Sequence, residues 1–340
     1  MKKVGIINVT GYIGMELARL LQRHPGVELT SITGRSALGQ KLGELLPHLA
    51  DIDLVIQPEL GDVDLVFSAL PHKTSAEAVL VALEQGIKVV DISADFRLKD
   101  AKEYQKWYEF THPQPQLLGE AVYGLVELNR PPIASARLVA NPGCYPTGAL
   151  LALAPVVKEG LIEPGIIIDA KSGVSGAGRT LSIDTHFSEA NENVSAYALD
   201  GHRHLPEITQ ELSRLNPELS FSVTFVPYRV PMSRGILTSC YAQLKEGGIA
   251  GKGEIKELYG DFYRGEPFIR VVAAPPQTKQ TWGSNLCFIY PTTDVRTGRL
   301  IVISCIDNLV KGGAGQAIQN MNLMLGLPEG MALEGVAVYP

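Results

Sequence analysis

The chain has 340 residues, 45% of them hydrophobic and 19% charged, a composition typical of a soluble globular protein with more than one hydrophobic core. The net charge of −6 argues against broad binding to nucleic acid, which needs a clustered excess of lysine and arginine. Four widely spaced cysteines favour reduced thiols over disulfides or a zinc site, and we find neither a signal peptide nor a membrane-spanning apolar run. We therefore expect a cytoplasmic protein with no nucleic-acid, membrane or metal partner.

The first 143 residues alternate apolar strands with amphipathic helices. In chain order, the predicted elements are a strand at 3–9, a helix at 14–23, strands at 27–33 and 63–69, a helix at 73–85 and a strand at 87–92. Such alternation indicates βαβ units and a parallel sheet with right-handed crossovers. The pattern predicts an α/β, doubly wound, Rossmann-type nucleotide-binding domain.

The pattern changes after the turn Asn141-Pro142-Gly143. Here the predicted elements are a helix at 146–159, strands near 166–170, 221–230, 235–245 and 299–307, and a last helix at about 311–325. Strands without regular intervening helices favour a mixed or antiparallel sheet in an α+β domain. We predict a nucleotide-binding domain of residues 1–143 plus about 311–340, and a second domain of residues 144–310.

The first strand leads into Thr10-Gly11-Tyr12-Ile13-Gly14, where a glycine-rich turn would present a helix N-terminus to a pyrophosphate. The usual first glycine of such a turn is absent. Asn8 stands in its place, and asparagine is among the few residues that tolerate positive φ. We expect these five residues to contact a dinucleotide, although the same pattern also fits a tight structural turn.

The end of the second strand indicates which dinucleotide is bound. An NAD site would offer Asp or Glu to the ribose 2′-hydroxyl, whereas this chain offers Thr33, Arg35 and Ser36. A guanidinium with adjacent hydroxyls suits a 2′-phosphate. We therefore predict NADP(H), and the alternative is that Arg35 is an ordinary charge of a solvated loop.

Cys144 follows a Pro-Gly turn and precedes a helix that we expect to begin at Pro146. Unpaired N–H groups at a helix start stabilise a thiolate and lower its pKa. A thiolate beside a nicotinamide implies attack on an activated acyl group, hydride transfer to the thioester and release of an aldehyde. An acyl phosphate is the predicted substrate class, because the activating group must leave well.

Acid–base and anion-binding candidates lie elsewhere in the chain. His202 and His204 are close to Glu207, so that one imidazole can protonate a developing alkoxide while the carboxylate orients it; spacing does not decide which, and paired surface histidines are the alternative. Arginine suits carboxylate and phosphate. We assign Arg97 with Ser93 to the phosphate and Arg234 to a substrate carboxylate.

Ordered stretches along nearly the whole chain resemble the N-acetyl-γ-glutamyl-phosphate reductases of arginine biosynthesis. The matching stretches are 10–14, 69–72, 93–98, 123–125, 127–130, 141–147, 169–179, 201–207, 230–235, 283–285 and 307–312. The resemblance implies NADPH, a catalytic cysteine at Cys144, assistance from the histidine segment, and a homodimer or homotetramer. It also implies that the C-terminal helix rejoins the cofactor domain. Further contacts implied by the matching stretches are Leu70, Pro71 and Asn308 for the cofactor and Asn141, Ser175 and Arg179 for the substrate.

Three alternative functions can be compared with this prediction. A lysine-pathway reductase would act on an aminoadipyl phosphate, which is longer by one methylene. One methylene changes the free energy of binding to a pocket by only about 1 to 3 kcal/mol, so this alternative stays open. Aspartate-semialdehyde dehydrogenases carry a histidine after the Arg-Val-Pro stretch, where this chain has Ile236 after Gly235. A non-catalytic nucleotide-sensing regulator on the same fold is disfavoured by the presence of Cys144 and the two histidines.

Overall fold

The computed structural model describes residues 1–246 and 251–340. The chain divides into two compact units, the first formed by residues 1–143 and 313–335 and the second by residues 144–312 and 336–340. The stretch at 311–340, which we expected to belong to one domain, is thus divided between them.

The first unit is built around a parallel sheet. Within its residues, all of them described, the strands are β1 (Lys2–Ile7), β2 (Val27–Ile32), β3 (Leu65–Ser68), β4 (Lys88–Asp91), β5 (Val122–Tyr123) and β6 (Leu138–Ala140). They pair in the order β2-β1-β3-β4-β6-β5, and every pairing is parallel. The central strands β3 and β6 are buried along their whole length, as expected of a parallel sheet covered on both faces.

Helices cover this sheet. They are α1 (Tyr12–Leu21), α2 (Leu42–Leu45), α3 (Ser75–Glu84), α4 (Ala101–Tyr108), α5 (Pro115–Glu120), α6 (Val126–Ser135) and, from the C-terminal part of the chain, α11 (Gly315–Met324). In α1 the apolar stripe predicted from the sequence is buried. The helix α11 packs against α1 and α6 within this unit.

The second unit holds a mixed sheet. In its described part, the strands are β7 (Ile162–Gly173), β8 (Ser195–Ala196), β9 (Ser222–Val230), β10 (Ile236–Leu244), β11 (Ile269–Val271), β12 (Cys287–Asp294) and β13 (Arg299–Ile306). Their order is β11-β12-β13-β10-β7-β9-β8, with parallel pairing of β7 to β9 and of β11 to β12 and antiparallel pairing elsewhere. The predicted fold class, a doubly wound sheet followed by an α+β unit with a mixed sheet, is confirmed.

The helices of the second unit are α7 (Cys144–Lys158), α8 (Phe187–Ala190), α9 (Leu205–Leu215) and α10 (Lys252–Phe262), and a π-helical turn, Val310–Ala314, begins in this unit. The long helix α7 packs on β10 and β13. It begins at Cys144, two residues earlier than the sequence predicts, because the proline at 146 is accommodated in the first turn, where its missing N–H has no intrahelical acceptor. Across the described ranges, no helix is long and apolar enough to cross a membrane.

A buried carboxylate lies at the carboxyl end of β4. The side chain of Asp91 is fully buried and accepts hydrogen bonds from Ser75 Oγ at 2.5 Å and from Ser93 Oγ at 2.7 Å. Burial, followed by the nearby charge of Asp95, raises the pKa of Asp91 to about 6. Because the folded state binds this proton more tightly than the unfolded state, the stability that protonation brings is complete below pH 3.8 and is lost as pH rises through 6.

We expect Asp91→Asn to gain stability relative to the wild type as pH rises, because the amide cannot ionise. From pH 4 to pH 8 the free energy of unfolding of the variant should rise by roughly 2 to 3 kcal/mol relative to the wild type. Urea denaturation across that range measures it, with Asp62→Asn as the control at a carboxylate that is 91% exposed. If the difference in free energy of unfolding between Asp91→Asn and the wild type does not change with pH, burial does not raise the pKa of Asp91.

Asn8 adopts the left-handed conformation that the sequence predicts. Its φ is 68°, and its side-chain Nδ2 donates to the carbonyl of Ala69 at 2.8 Å, which ties the turn after β1 to the end of β3. Most residues that carry a Cβ are strained at such a φ, and asparagine is among the few that tolerate it. Asn8 therefore combines glycine-like backbone freedom with a side-chain tether.

Two substitutions separate these contributions. Asn8→Gly should lower the free energy of unfolding by about 1 kcal/mol, since it removes one hydrogen bond and keeps the backbone conformation. Asn8→Ala should lower it by about 2 kcal/mol, because alanine must also adopt positive φ at a further cost of roughly 1 kcal/mol. Thermal unfolding of the three proteins provides the comparison. Equal stability of the two variants would show that the backbone conformation contributes nothing.

Candidate active site

The turn after β1 presents the start of α1 without a side-chain cap. Gly11 is the N-cap residue, and it has no side chain that could accept a hydrogen bond from the first N–H groups of the helix. Gly14 is buried, and a Cβ at this position would lie 2.5 Å from the carbonyl oxygen of Asn8. The absence of a side chain thus lets α1 pack directly on the turn, and the helix start suits a phosphate group.

The structure brings the predicted cofactor segments of the first unit together at the carboxyl ends of β1, β2 and β3. The N–H of Val9 donates to the carbonyl of Thr33 at 2.9 Å, and the hydroxyls of Thr10 and Ser36 are 3.0 Å apart. Leu70 and Pro71 directly follow β3. The other residues of the set, Tyr12, Ile13 and the exposed Arg35, lie on α1 and in the loop after β2. This edge is where ligands bind in doubly wound sheets.

Three residues that we assigned to the substrate are buried in the first unit. The hydroxyl of Ser93 donates to Asp91 and accepts from the N–H of Asp95 at 3.0 Å. The guanidinium of Arg97 donates from Nε to the carbonyl of Asn141 and from Nη2 to that of Ile92, both at 2.8 Å. Arg97 thereby holds the end of β6, three residues before Cys144 in the chain, and its contact with phosphate stays a prediction.

Asn141 is fixed from a second direction. Its Oδ1 accepts from Nδ2 of Asn320 in α11 at 3.0 Å, and its Nδ2 donates to the carbonyl of Gly313 at 3.2 Å. All atoms of Asn141 are enclosed. The residue stabilises the turn that leads to Cys144, a role that the sequence pattern did not indicate.

Cys144 is the first residue of α7 and is partly exposed. The other three cysteines, Cys240, Cys287 and Cys305, are fully buried. In the described chain none of the four forms a disulfide, and no group of three or more His, Cys, Asp or Glu side chains is placed to hold a metal ion. A reagent from solvent therefore meets Cys144 before any other thiol.

Two tyrosines accompany Cys144. The hydroxyl of Tyr145 lies 3.0 Å from that of Tyr197, and burial raises the pKa of both phenols. The negative charge of a Cys144 thiolate adds to this increase for both, so the sulfur lies within electrostatic range of the pair. Both phenols are thus neutral hydrogen-bonding groups beside the candidate nucleophile. Tyr197 was missed in the sequence, although it precedes the histidine segment by only five residues.

His202 lies among aromatic rings. The ring centroids of Tyr145 and Tyr197 are each 5.6 Å from it, that of Phe225 is 5.3 Å away, and that of His204 is 4.8 Å away. Burial, with the charge of Arg203 as a smaller cause, lowers the pKa of His202 to about 4. Its Nδ1 accepts the N–H of His204 at 3.0 Å, so we place the proton of the neutral ring on Nε2. His202 is then a neutral donor of one hydrogen bond near pH 7.

His204 and Glu207 belong to the start of α9. His204 is the N-cap residue, and the side chain of Glu207 is fully buried in the first turn, where a carboxylate interacts favourably with the helix dipole. The rings of His204 and Tyr145 are 5.9 Å apart between centroids. The structure thus brings His202, His204 and the residue after Cys144 into one cluster.

The remaining predicted residues lie in two places of the second unit. Nδ2 of Asn308 donates to Ser175 Oγ at 2.9 Å, and Oδ1 accepts the N–H of Gly235 at 2.8 Å. Arg234, next to that glycine, has its Nη1 at 3.3 Å from Oδ2 of the buried Asp307. Arg179 is exposed in the loop that follows a short 3₁₀ turn.

The second unit also contains a cavity of about 410 Å³ beside Tyr197. Its polar lining includes Asp184, Glu189 and Arg229. The guanidinium of Arg229 lies 4.4 Å from the centroid of the Tyr197 ring, and its Nη1 is 3.0 Å from Oδ2 of Asp184. Arg229, to which the sequence analysis gave no role, thus lines a cavity adjoining the tyrosine pair.

Comparison with known families divides the chain in two. Residues 3–136 match the family described as semialdehyde dehydrogenase, NAD binding domain, and residues 144–308 match semialdehyde dehydrogenase, dimerisation domain. Two solved structures with similar folds are aspartate semialdehyde dehydrogenase II from Vibrio cholerae, in complex with ASA, and aspartate semialdehyde dehydrogenase from Candida albicans, with NADP. Their TM-scores are 0.71 and 0.70, each at 17% identity, and each alignment covers 96% of this chain and 98% of that one. At this identity they show the fold alone.

Closer relatives are similar along the whole chain. Proteins named N-acetyl-gamma-glutamyl-phosphate reductase from Dehalococcoides mccartyi and Pelotomaculum thermopropionicum are 59% and 52% identical, and each alignment covers 99% of both chains. The relative of the same name from Heliobacterium modesticaldum is 50% identical with full coverage of both. The resemblance found in the sequence motifs is confirmed, and the chain belongs to the N-acetyl-gamma-glutamyl-phosphate reductase family of semialdehyde dehydrogenases.

Proposed function

We propose that the protein is a reductase that converts N-acetyl-γ-glutamyl phosphate to N-acetylglutamate 5-semialdehyde with NADPH, through a thioester on Cys144, as a step of arginine biosynthesis. The observation that carries the proposal is the placement of Cys144: it is partly exposed at the start of α7, beside two tyrosines and two histidines. The relatives' names supply the substrate.

The residues present suit NADP(H). The uncapped start of α1 suits a pyrophosphate, and the exposed Arg35, with the hydroxyls of Thr10 and Ser36 only 3.0 Å apart, suits a 2′-phosphate. When bound, NADPH supplies a hydride. A solved structure of similar fold is titled as a complex with NADP. We assign residues 1–143 and the segment around α11 to cofactor binding.

The chemistry of the chain's own residues is acyl transfer. The Cys144 thiolate attacks the acyl carbon, the bond from that carbon to the phosphate oxygen breaks, and inorganic phosphate leaves. After reduction of the thioester, the carbon–sulfur bond breaks, which releases the aldehyde and regenerates the thiolate. The thioester is needed because direct hydride transfer to a carboxylate is far harder.

The two histidines take different roles in this proposal. With a pKa of about 4 and its proton on Nε2, His202 donates a hydrogen bond to the developing oxyanion rather than acting as an imidazolium. His204, at the start of α9 beside the buried Glu207, then carries the proton. The aromatic rings around His202 remove part of its water.

The cavity beside Tyr197 suits the amino-acid part of the substrate. Its volume of about 410 Å³ is within the range of small-molecule sites, and Arg229 offers a guanidinium held over an aromatic ring. We propose that Arg229 binds the substrate carboxylate, together with or in place of Arg234. Ser175, Asn308 and Arg179 remain predicted contacts of the substrate or cofactor.

We further propose a homodimer or homotetramer that assembles through the second unit, consistent with the dimerisation-domain family that it matches. Five large apolar side chains, more than half exposed, lie close together in the chain there: Leu181, Ile183, Phe187, Val194 and Leu199. Exposed apolar side chains concentrated in one segment favour a protein interface. All four cysteines are outside disulfides in the described residues, which supports a reducing, cytoplasmic location.

The proposed function is tested by phosphate-dependent reduction of NADP⁺ with N-acetylglutamate semialdehyde. Cys144→Ser should lower kcat by at least roughly 1,000-fold, because the hydroxyl is a far weaker nucleophile, while NADP⁺ binding stays unchanged. Cys240→Ala, at a fully buried thiol, is the matched control and should retain turnover.

The same assay separates the alternatives. Turnover only with an aminoadipate-derived semialdehyde would assign the chain to the lysine-pathway reaction. Binding of NADP⁺ without turnover of either aldehyde would favour a nucleotide-sensing regulator and refute the proposal.

Arg229→Gln should raise the KM for N-acetylglutamate semialdehyde by roughly 10- to 100-fold, since a charged hydrogen bond contributes about 1.5 to 3 kcal/mol. The KM for NADP⁺ should stay unchanged. Steady-state kinetics of Arg229→Gln, Arg234→Gln and the control Arg296→Gln, at an 85% exposed side chain, provide the measurement. If the KM for the aldehyde rises only in Arg234→Gln, the substrate carboxylate is bound by Arg234 instead of Arg229.

A further inference from the structure

The π-helical turn after β13 lies directly against Cys144. In this turn the N–H of Gly312 donates to the carbonyl of Asp307, five residues earlier, at 2.9 Å. A Cβ added to Gly312 would lie 2.9 Å from Cys144 Cβ and 3.3 Å from Cys144 Cα. Carbon atoms in van der Waals contact are about 3.5 to 4.0 Å apart. Any side chain at position 312 would therefore overlap Cys144. The main chain of the turn can lie this close to the cysteine because residue 312 is a glycine.

The turn is held too firmly to move away from the cysteine. The fully buried carboxylate of Asp307 accepts four donors: Oδ1 accepts the N–H of Leu309 at 2.8 Å and of Val310 at 3.2 Å, and Oδ2 accepts the N–H of Gly283 at 2.8 Å and Nη1 of Arg234 at 3.3 Å. Hydrogen bonds to a charged acceptor are among the stronger ones. Displacing the turn would strain several of them at once.

The start of α7 is held equally well. One turn after Cys144, Ser304 Oγ donates to the carbonyl of Gly148 at 2.9 Å, and a Cβ on Gly148 would lie 3.2 Å from the hydroxyls of Ser304 and Thr238. Residues 145–157 of the helix are all buried. A group inserted between the turn and α7 would thus move the Cys144 side chain rather than either backbone.

We propose that Gly312 is a positioning residue for the nucleophile: by carrying no side chain, it lets the π-helical turn support Cys144 from behind and so sets the place of Sγ for attack on the acyl group. The inference rests on the proposed function and deepens it. It concerns a residue that does not itself touch the substrate.

Gly312→Ala tests the proposal through two measurements. The first is phosphate-dependent reduction of NADP⁺ with N-acetylglutamate semialdehyde, in which kcat should fall roughly 10- to 100-fold with little change in KM, since a displacement of about 1 Å can cost this much. The second is the pH profile of alkylation by iodoacetamide, which Cys144 should dominate. Its midpoint should rise by about 0.3 pH unit or more as the sulfur moves from the helix start. Gly165→Ala, whose Cβ would meet nothing within 4 Å, should match the wild type in both.

The proposal requires both changes. The proposal is overturned if Gly312→Ala behaves as the wild type in both measurements. It is also overturned if only kcat or only the alkylation midpoint changes, because a displaced sulfur must alter both. If the wild type shows no turnover, the proposed function has failed. The alkylation profile, which needs no substrate, then decides on Gly312 alone.

A second pair of variants applies if Gly312→Ala does not fold. Cδ1 of Ile306 is the other close neighbour of the added carbon, at 3.3 Å, so Ile306→Val makes room on that side while the contact with Cys144 remains. The double variant should fold and should turn over several-fold more slowly than Ile306→Val alone. Equal turnover of the two overturns the proposal.

Discussion

The helix α7 is buried from its second to its fourteenth residue, and the partial exposure of its first residue, Cys144, separates this thiol from the others of the second unit. Burial raises the pKa of Cys305 to about 12 and that of Cys240 further, so both stay protonated at neutral pH. Cys144 instead lies where the first N–H groups of a helix stabilise a thiolate. Reactivity thus follows from where the chain places a thiol, since the same residue type in the sheet is inert.

The same burial that hides the other thiols also determines the protonation of the neighbouring groups. A cluster of rings around His202 removes water from the imidazole and disfavours its cation, while the phenols of Tyr145 and Tyr197 are held neutral. Cys144 keeps a partly exposed thiol within this cluster. A thiolate at Cys144 then lies beside phenol and imidazole groups that carry no charge of their own.

Much of the fold was predictable because its signals are local. The alternation of apolar strands and helices up to residue 92 indicated the parallel sheet, and Asn8 was expected at positive φ from its place in a tight turn. The helix α6 was missed because Pro131 and Pro132 argue against a helix. The structure accommodates them after a kink at Asn129, near the start of the second helical segment.

The site was less predictable, because tertiary contacts decide which polar residues remain available. Ser93 and Arg97 have the right chemistry for phosphate, yet the fold engages one with a buried carboxylate and the other with two carbonyls. Tyr197 gave no periodic or motif signal, and its distance from Tyr145 in the sequence exceeds 50 residues. Pairing of this kind depends on the sheet, where β8 brings the segment before Tyr197 beside β9.

Buried charged side chains of this molecule stabilise the fold, whereas a more exposed ion pair leaves an arginine available to bind an anion. Asp307 and Asp95 are saturated by main-chain N–H groups, and removing either would leave those donors unsatisfied. Arg229 is different, since its partner Asp184 is half exposed and regains water when released. Displacement of Asp184 from Arg229 by a substrate carboxylate therefore costs little free energy. The arginine best able to exchange partners is thus the one lining the cavity, rather than those engaged with buried groups.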